Sequence, residues 1–261
     1  PYTQLRALEQ DGPLVIVKGD GVHVIDEHGN RYLEGMAGLW CASLGFSEQR
    51  LAEAAHRQML QLPYYHAFSG KVPGPVTELV QTLTRWAPTP ELQRGRVLFA
   101  NSGSESNDTA FKLVRYVNSA RGKPAKQKII ARQKGYHGVT AAAASMSGLA
   151  TMHQHFGLPL PGILRVSAPH FYGNGLPGET EAQFVDRLVK ELEDLIAAEG
   201  ADTIAAFIAE PVQGAGGVII PPADYFRRIQ AVLKRNDILL IADEVIIGFG
   251  RLGQPFGTNV F

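Results

Sequence analysis

The sequence has little cysteine, no long apolar run and no excess charge of either sign. Cys41 is the single cysteine among 261 residues, so an internal disulfide is excluded and a reducing compartment is favoured. Lys and Arg together number 25, as do Asp and Glu, which argues against a dedicated nucleic-acid or membrane-surface binder. No stretch approaches the roughly 18 apolar residues of a membrane span.

The two ends of the sequence bear on targeting and on completeness. Residues 1–6 contain no basic start followed by an apolar run, so we expect no signal peptide and predict a cytoplasmic location. Residue 1 is not Met, and residues 259–261 contain neither a polar tail nor a helix end. We therefore expect the sequence to be cut at both ends.

Short apolar runs alternate with helical periodicity from residue 96 onward. Such runs are typical of strands buried on both faces, whereas half-exposed strands alternate apolar and polar residues. The predicted strands are 97–100, 129–131, 163–166, 203–209 and 238–242, and the predicted helices are 106–120, 185–196 and 225–234. This alternation predicts an α/β fold with a mainly parallel sheet and helices on both faces. Before it, residues 13–35 predict a hairpin and residues 49–62 an amphipathic helix.

Polar or aromatic residues follow four of the predicted strands. They are residues 101–106, 134–138, 210–214 and 243–245. Ligands of open parallel sheets bind beyond the carboxyl ends of the strands. The sequence therefore predicts one binding edge formed by all four segments.

The stretch Ser102-Gly103-Ser104 stands between a predicted strand and a helix. Free amides and the helix dipole make such a place an anion site, and glycine permits close approach of a phosphate. An ordinary helix cap explains the same residues, and taken alone the cap is favoured. The segment is not a Walker loop, because no Gly-Lys-Ser/Thr follows.

Three further strand-end residues each have two interpretations. Asp243 suits an ion pair with a protonated ring nitrogen, or a turn cap. Tyr136, in a glycine-flanked turn, suits stacking on a planar cofactor, or simple packing. Glu210 suits a cofactor contact, or a structural carboxylate that bonds to loops.

Histidines predict neither a base nor a metal site. His137 follows Tyr136, and packing or capping explains it as well as a catalytic role. His153 and His155 have no acidic or further histidine ligand at metal-binding spacing, so we predict no metal. No Gly-x-Ser-x-Gly elbow supports a hydrolase.

Together these segments resemble the class III aminotransferases, the omega-transaminase family of pyridoxal-phosphate (PLP) fold type I. The resemblance rests on 36–41, 101–106, 135–138, 210–214, 242–245 and 248–251, and it covers essentially the whole chain in order. It implies a PLP-binding large domain over 62–261, incomplete at its C-terminus. Residues 1–61 would be the N-terminal segment of a small α+β domain.

The resemblance also implies a role for each site residue. Ser102, Gly103 and Ser104 would hold the cofactor phosphate. Tyr136 and Val245 would cover the two faces of the ring, with His137 beside them. Asp243 would pair with the ring nitrogen, and Glu210 would lie near the phenolic side. Trp40 and Phe68 would line the substrate pocket, with Phe68 reaching into a neighbouring subunit of a homodimer or larger homo-oligomer.

The implied activity is transfer of an amino group from an amine or omega-amino acid to a keto acid in a ping-pong reaction. The sub-family that this chain resembles uses pyruvate as the keto acid. The family's Schiff-base lysine is not in the sequence, since Lys234 is the last lysine and precedes Asp243. We expect that lysine to lie past Phe261. We also expect the 261-residue chain by itself to be inactive. Two alternatives stay open: another PLP reaction, such as that of an aminomutase, racemase or decarboxylase, and a non-catalytic PLP-binding or interaction remnant.

Overall fold

The computed structural model describes residues 4–261 in two compact units. One unit extends to Glu78 and the other starts at Leu79. The predicted assignment of residues 1–61 to a small domain and 62–261 to a large one stays a prediction.

The first unit is built on a three-stranded antiparallel sheet. Its elements are α1 (Leu5–Asp11), β1 (Ile16–Asp20), β2 (His23–Asp26), β3 (Arg31–Leu33), α2 (Ala37–Trp40) and α3 (Gln49–Gln61). Asp26 stabilises the turn between β2 and β3, because its carboxylate accepts hydrogen bonds from the amides of His28 and Asn30 and from the hydroxyl of Tyr32. The predicted hairpin and the helix after it are confirmed.

The second unit is an α/β layer structure. Its strands are β4 (Lys128–Arg132), β5 (Ile163–Val166), β6 (Ile204–Ala209) and β7 (Leu239–Ala242). Its helices are α5 (Pro90–Gln93), α6 (Gly103–Ala120), α7 (Ala141–Met146), α8 (Phe171–Asn174), α9 (Glu181–Glu199) and α10 (Tyr225–Arg235), while α4 (Gly74–Trp86) contains the boundary between the units.

All four strands of this sheet are parallel, in the order β5-β4-β6-β7. Neighbouring residues of β6 point to opposite faces, so Phe207 packs in one core and Ile208 in the other. The first core includes buried residues of α9 and α10, such as Leu192 and Ile229, and the second includes Val114 of α6. The predicted parallel sheet with helices on both faces is confirmed.

One predicted strand is wrong. Residues 97–100 form no strand, and Leu98 is 65% exposed. Val97 instead lines a groove of about 610 Å³ together with Leu240 and Ala242 of β7. Within residues 4–261 the only strand paired with β7 is β6. The apolar run therefore has no hydrogen-bonded neighbour, and composition alone does not make a strand.

A buried lysine ties the start of β6 to the turn before β7. The Nζ of Lys126 lies 2.9 Å from the carbonyl oxygen of Ala201, 3.1 Å from that of Ile204 and 2.8 Å from that of Asp237. Lys126 is 3% exposed, and burial lowers its pKa. The ammonium thus donates to buried carbonyls of two neighbouring loops, of which that of Ala201 also accepts from the amide of Ile204.

Replacing Lys126 by methionine is expected to lower the free energy of unfolding by about 2–4 kcal/mol, because the change removes the hydrogen bonds that the ammonium donates to buried carbonyls. Denaturant unfolding measures this loss. Lys190→Met is the control, since Lys190 pairs with Asp194 at the surface and its loss should cost below about 0.5 kcal/mol. Equal effects of the two substitutions would contradict the role of Lys126.

Candidate active site

The N-terminus of α6 presents free amides at the carboxyl edge of the sheet. Ser102 caps the helix, since its Oγ accepts from the amide of Glu105 at 3.1 Å and its carbonyl from the amide of Ser106 at 3.0 Å. The amides of Gly103 and Ser104 precede these and have no carbonyl one turn back along the helix. Capping and anion binding are therefore compatible here, with Ser102 as the cap.

A glycine turn lies against this helix end. The amide of Val139 donates to Ser104 Oγ at 3.0 Å. A Cβ added to Gly138 would lie 2.5 Å from the same Oγ, and the φ of Gly138 is +127°. Only glycine fits both the backbone conformation and the contact. Because its Oγ accepts from Val139, Ser104 can still donate its hydroxyl proton to a ligand.

Val245 and Tyr136 lie close to these two segments. A Cβ on Gly103 would be 3.1 Å from Val245 Cγ2, so the valine side chain packs beside the first residue of α6. Val245 is 68% exposed, and Tyr136 is half-buried in the turn that follows β4. Their predicted stacking on a planar ring stays a prediction.

A buried carboxylate follows β7. The Oδ2 of Asp243 lies 2.8 Å from Nδ1 of His137 and 2.8 Å from Nδ2 of Asn107. All three residues are at most 6% exposed. Burial by itself would raise the pKa of Asp243, but the hydrogen bond and charge of His137 and the amide of Asn107 outweigh it. The pKa therefore lies below its usual value, and Asp243 stays ionised at neutral pH.

Glu210 fixes the loops around the site. Its Oε1 accepts from the amide of Tyr136 at 3.0 Å and its Oε2 from the amide of Gly214 at 2.9 Å. Burial raises the pKa of this carboxyl group, and the two amides oppose the rise. The buried guanidinium of Arg132 donates to the carbonyl oxygen of Glu210. Glu210 therefore holds the Tyr136 turn, which favours its interpretation as a structural carboxylate.

The second unit brings together eight of the ten predicted site residues: Ser102, Gly103, Ser104, Tyr136, His137, Glu210, Asp243 and Val245. Trp40 and Phe68 belong to the first unit, where Phe68 is 75% exposed, and their role in a substrate pocket stays a prediction. The sequence interpretation missed Asn107 and Arg132.

Together these groups suit a small planar ligand that carries both a phosphate and a cationic ring nitrogen. The amides at α6 and the Ser104 hydroxyl fit a phosphate, Tyr136 can flank a flat ring, and ionised Asp243 fits a cationic ring nitrogen. Among residues 4–261 no cluster of three or more His, Cys, Asp or Glu side chains is arranged to hold a metal ion. In the same residues no helix is long and apolar enough to cross a membrane.

The sequence of this chain is similar to a known protein family and to several curated proteins. The family model for aminotransferase class-III matches residues 6–261. Gamma aminobutyrate transaminase 1, mitochondrial, of Solanum lycopersicum is 52% identical over 261 residues, which are 100% of this chain and 50% of that protein. Vanillin aminotransferase of Capsicum frutescens is 52% identical over 95% of this chain and 54% of its own length. The chain thus spans about half the length of these curated relatives.

Solved structures agree with the sequence comparison. The omega transaminase from Pseudomonas jessenii in complex with PMP has a TM-score of 0.97 and 54% identity, covering 100% of this chain and 57% of that one. An omega-aminotransferase from Paracoccus denitrificans has a TM-score of 0.95 and 47% identity, covering 100% and 58%. The fold is that of the PLP fold type I transaminases, as the resemblance implied.

Proposed function

Because this chain belongs to the class-III aminotransferases, whose cofactor is PLP, we propose that the full-length protein is an omega-transaminase. It moves an amino group from an amine or omega-amino acid to pyruvate in a ping-pong reaction. The observation that carries this proposal is the buried, ionised Asp243 beside the amides of α6. Such a pairing of carboxylate and anion site suits a phosphorylated pyridine ring.

The residues of this chain would bind and orient the cofactor. When bound, PLP would supply an electron sink for the electron pair released at the substrate carbon. Asp243 would hold a proton on the ring nitrogen, which would keep the ring able to accept that pair. The amides of Gly103 and Ser104 would hold the phosphate, with the dipole of the 18-residue helix behind them. Tyr136 and Val245 would cover the ring and exclude water.

We assign the proton transfer at the substrate carbon to the Schiff-base lysine of the family. No lysine follows Lys234, and the lysine expected of this family would come after Phe261. We therefore propose that the full-length protein performs the reaction and that the 261-residue chain by itself does not.

Half-reactions test the proposal on the full-length protein. Adding alanine, γ-aminobutyrate or an aryl-alkyl amine to the PLP-loaded protein is expected to convert the cofactor to its amine form, and pyruvate is expected to restore it. Absorbance follows both steps, and the 261-residue chain serves as the negative control. Racemisation, migration of the amino group or release of CO₂ without keto-acid-dependent return of the cofactor would indicate one of the alternative PLP reactions.

We also propose a homodimer or larger homo-oligomer and a cytoplasmic location. Large apolar side chains are exposed along one stretch of the first unit: Met59, Leu60, Tyr64, Tyr65 and Phe68. Exposed apolar surface of this kind is typical of contacts between subunits. The single cysteine favours a reducing compartment. Sedimentation of the full-length protein and fractionation of the source cells test these two proposals.

A further inference from the structure

Asn107 joins three segments of the candidate site. It lies in α6, five residues from the cap Ser102, and it is 6% exposed. Its Nδ2 lies 2.8 Å from the carbonyl oxygen of His137 and 2.8 Å from Oδ2 of Asp243. One side-chain amide therefore connects the helix that presents the anion site, the Tyr136 turn and the end of β7.

The chemistry of the two contacts fixes how the amide is oriented. A carbonyl and an ionised carboxylate only accept hydrogen bonds, so the NH₂ group must face both of them. The two protons of that NH₂ group are then both used, one by His137 and one by Asp243. Aspartate, which has the same shape, could donate to neither and would place a second negative charge beside Asp243.

These contacts make the two oxygens of Asp243 unequal. Oδ2 receives the amide of Asn107 and the ring of His137. Oδ1 receives the backbone amide of Val245 at 3.2 Å, and the side chain of Val245 is exposed. An ionised carboxylate can accept about four hydrogen bonds. The spare capacity therefore lies on Oδ1.

We propose that Asn107 is a positioning residue that fixes the Asp243 carboxylate, so that Oδ1 is left to accept the proton of the cofactor's ring nitrogen. This inference rests on the proposed function, in which Asp243 pairs with that nitrogen. Asn107 has no amide proton left to donate to the cofactor. It acts through Asp243. Because Asn107 and the anion-binding amides lie in the same helix, α6, its hydrogen bond fixes the position of the carboxylate relative to those amides.

The test compares Asn107→Ser with Asn118→Ser in the full-length protein. Asn118 is a matched control because it is fully buried in the same helix, and its amide donates only to Val114 within that helix. PLP is titrated into the apoprotein, and ¹⁵N NMR of labelled PLP follows the pH at which the bound ring nitrogen loses its proton. Asn107→Ser is expected to weaken PLP binding about tenfold to hundredfold and to lower that pH. Asn118→Ser should change neither.

A further variant and a reference keep the result decisive. Asn107→Asp should lower the affinity for PLP more than Asn107→Ser, because it adds a repelled charge. If Asn107→Asp does not fold, the serine variant alone decides. Equal affinity and equal nitrogen titration in the two serine variants would overturn the proposal. Asp243→Asn, measured in parallel, separates the two claims: if it leaves the nitrogen titration unchanged, the proposed role of Asp243 is wrong, whereas an effect of Asp243→Asn without one of Asn107→Ser overturns this inference alone.

Discussion

Replacing Asp243 by asparagine is expected to lower kcat/KM for amine-to-pyruvate transfer by the full-length protein about 100- to 5000-fold. The carboxylate is buried and held ionised by His137 and Asn107, so its charge is available to a ring nitrogen in a poorly hydrated site. Removing one partner of a buried ion pair costs about 3–5 kcal/mol, and each 1.4 kcal/mol of barrier is about tenfold in rate. Steady-state kinetics with saturating PLP measure the loss.

Asp237→Asn is the control for this substitution. Asp237 lies just before β7, whereas Asp243 follows the same strand, and Asp237 pairs with Arg121 and Lys123 at the surface. Its replacement should change kcat/KM by less than about threefold. An exposed ion pair contributes only to stability, and it contributes at most about 1 kcal/mol. An Asp243→Asn variant within that same threefold of the unchanged protein would contradict the role assigned to the carboxylate.

Replacing Gly138 by alanine is expected to raise the dissociation constant of PLP about 5- to 150-fold. The added Cβ would lie 2.5 Å from Ser104 Oγ and 2.8 Å from Ser104 Cα, so the turn must move away from the helix end. The overpacking costs about 1–3 kcal/mol, and 1.4 kcal/mol is about tenfold in affinity, whereas the strain of the positive φ lowers stability. Fluorescence titration of the apoprotein with PLP measures the change.

Gly217→Ala separates backbone strain from the collision. The φ of Gly217 is +120°, close to the +127° of Gly138, but a Cβ there meets nothing within 4 Å. Its variant should lose stability without weakening PLP binding. If the two alanine variants bind PLP equally well, contact between the Gly138 turn and Ser104 does not shape the site.

The strand ends of the site could be predicted because the residue chemistry changes from apolar to charged at one position. The fully buried strand β6 stops at Ala209 and Glu210 follows, and β7 stops at Ala242 before Asp243. An apolar run that ends on a carboxylate marks the edge where ligands bind. The same reasoning failed for residues 97–100, since hydrogen bonding to a neighbouring strand depends on distant residues and not on local composition.

The polar network around Asp243 could not be predicted from local patterns. Asn107 is 136 residues from Asp243 along the chain, and His137 is 106 residues away. The sequence spacing in α6 predicts one apolar face formed by Ala110, Leu113, Val114 and Val117. That prediction is wrong for Leu113, which is 48% exposed. The buried face contains Asn107, Val114 and Asn118, at spacings of seven and four. Asn107 lies seven residues before Val114, which places both on the same face of the helix. That spacing was the signal in the sequence that could have indicated a buried Asn107.

The most direct test of the central claim is a crystal structure of the full-length protein with PLP bound. We predict that the ring nitrogen lies about 2.7–2.9 Å from Oδ1 of Asp243, the range of a charged N–H···O bond, with the phosphate on the amides of Gly103 and Ser104. A ring nitrogen more than about 4 Å from both oxygens of Asp243, or a phosphate bound away from the start of α6, would contradict the account.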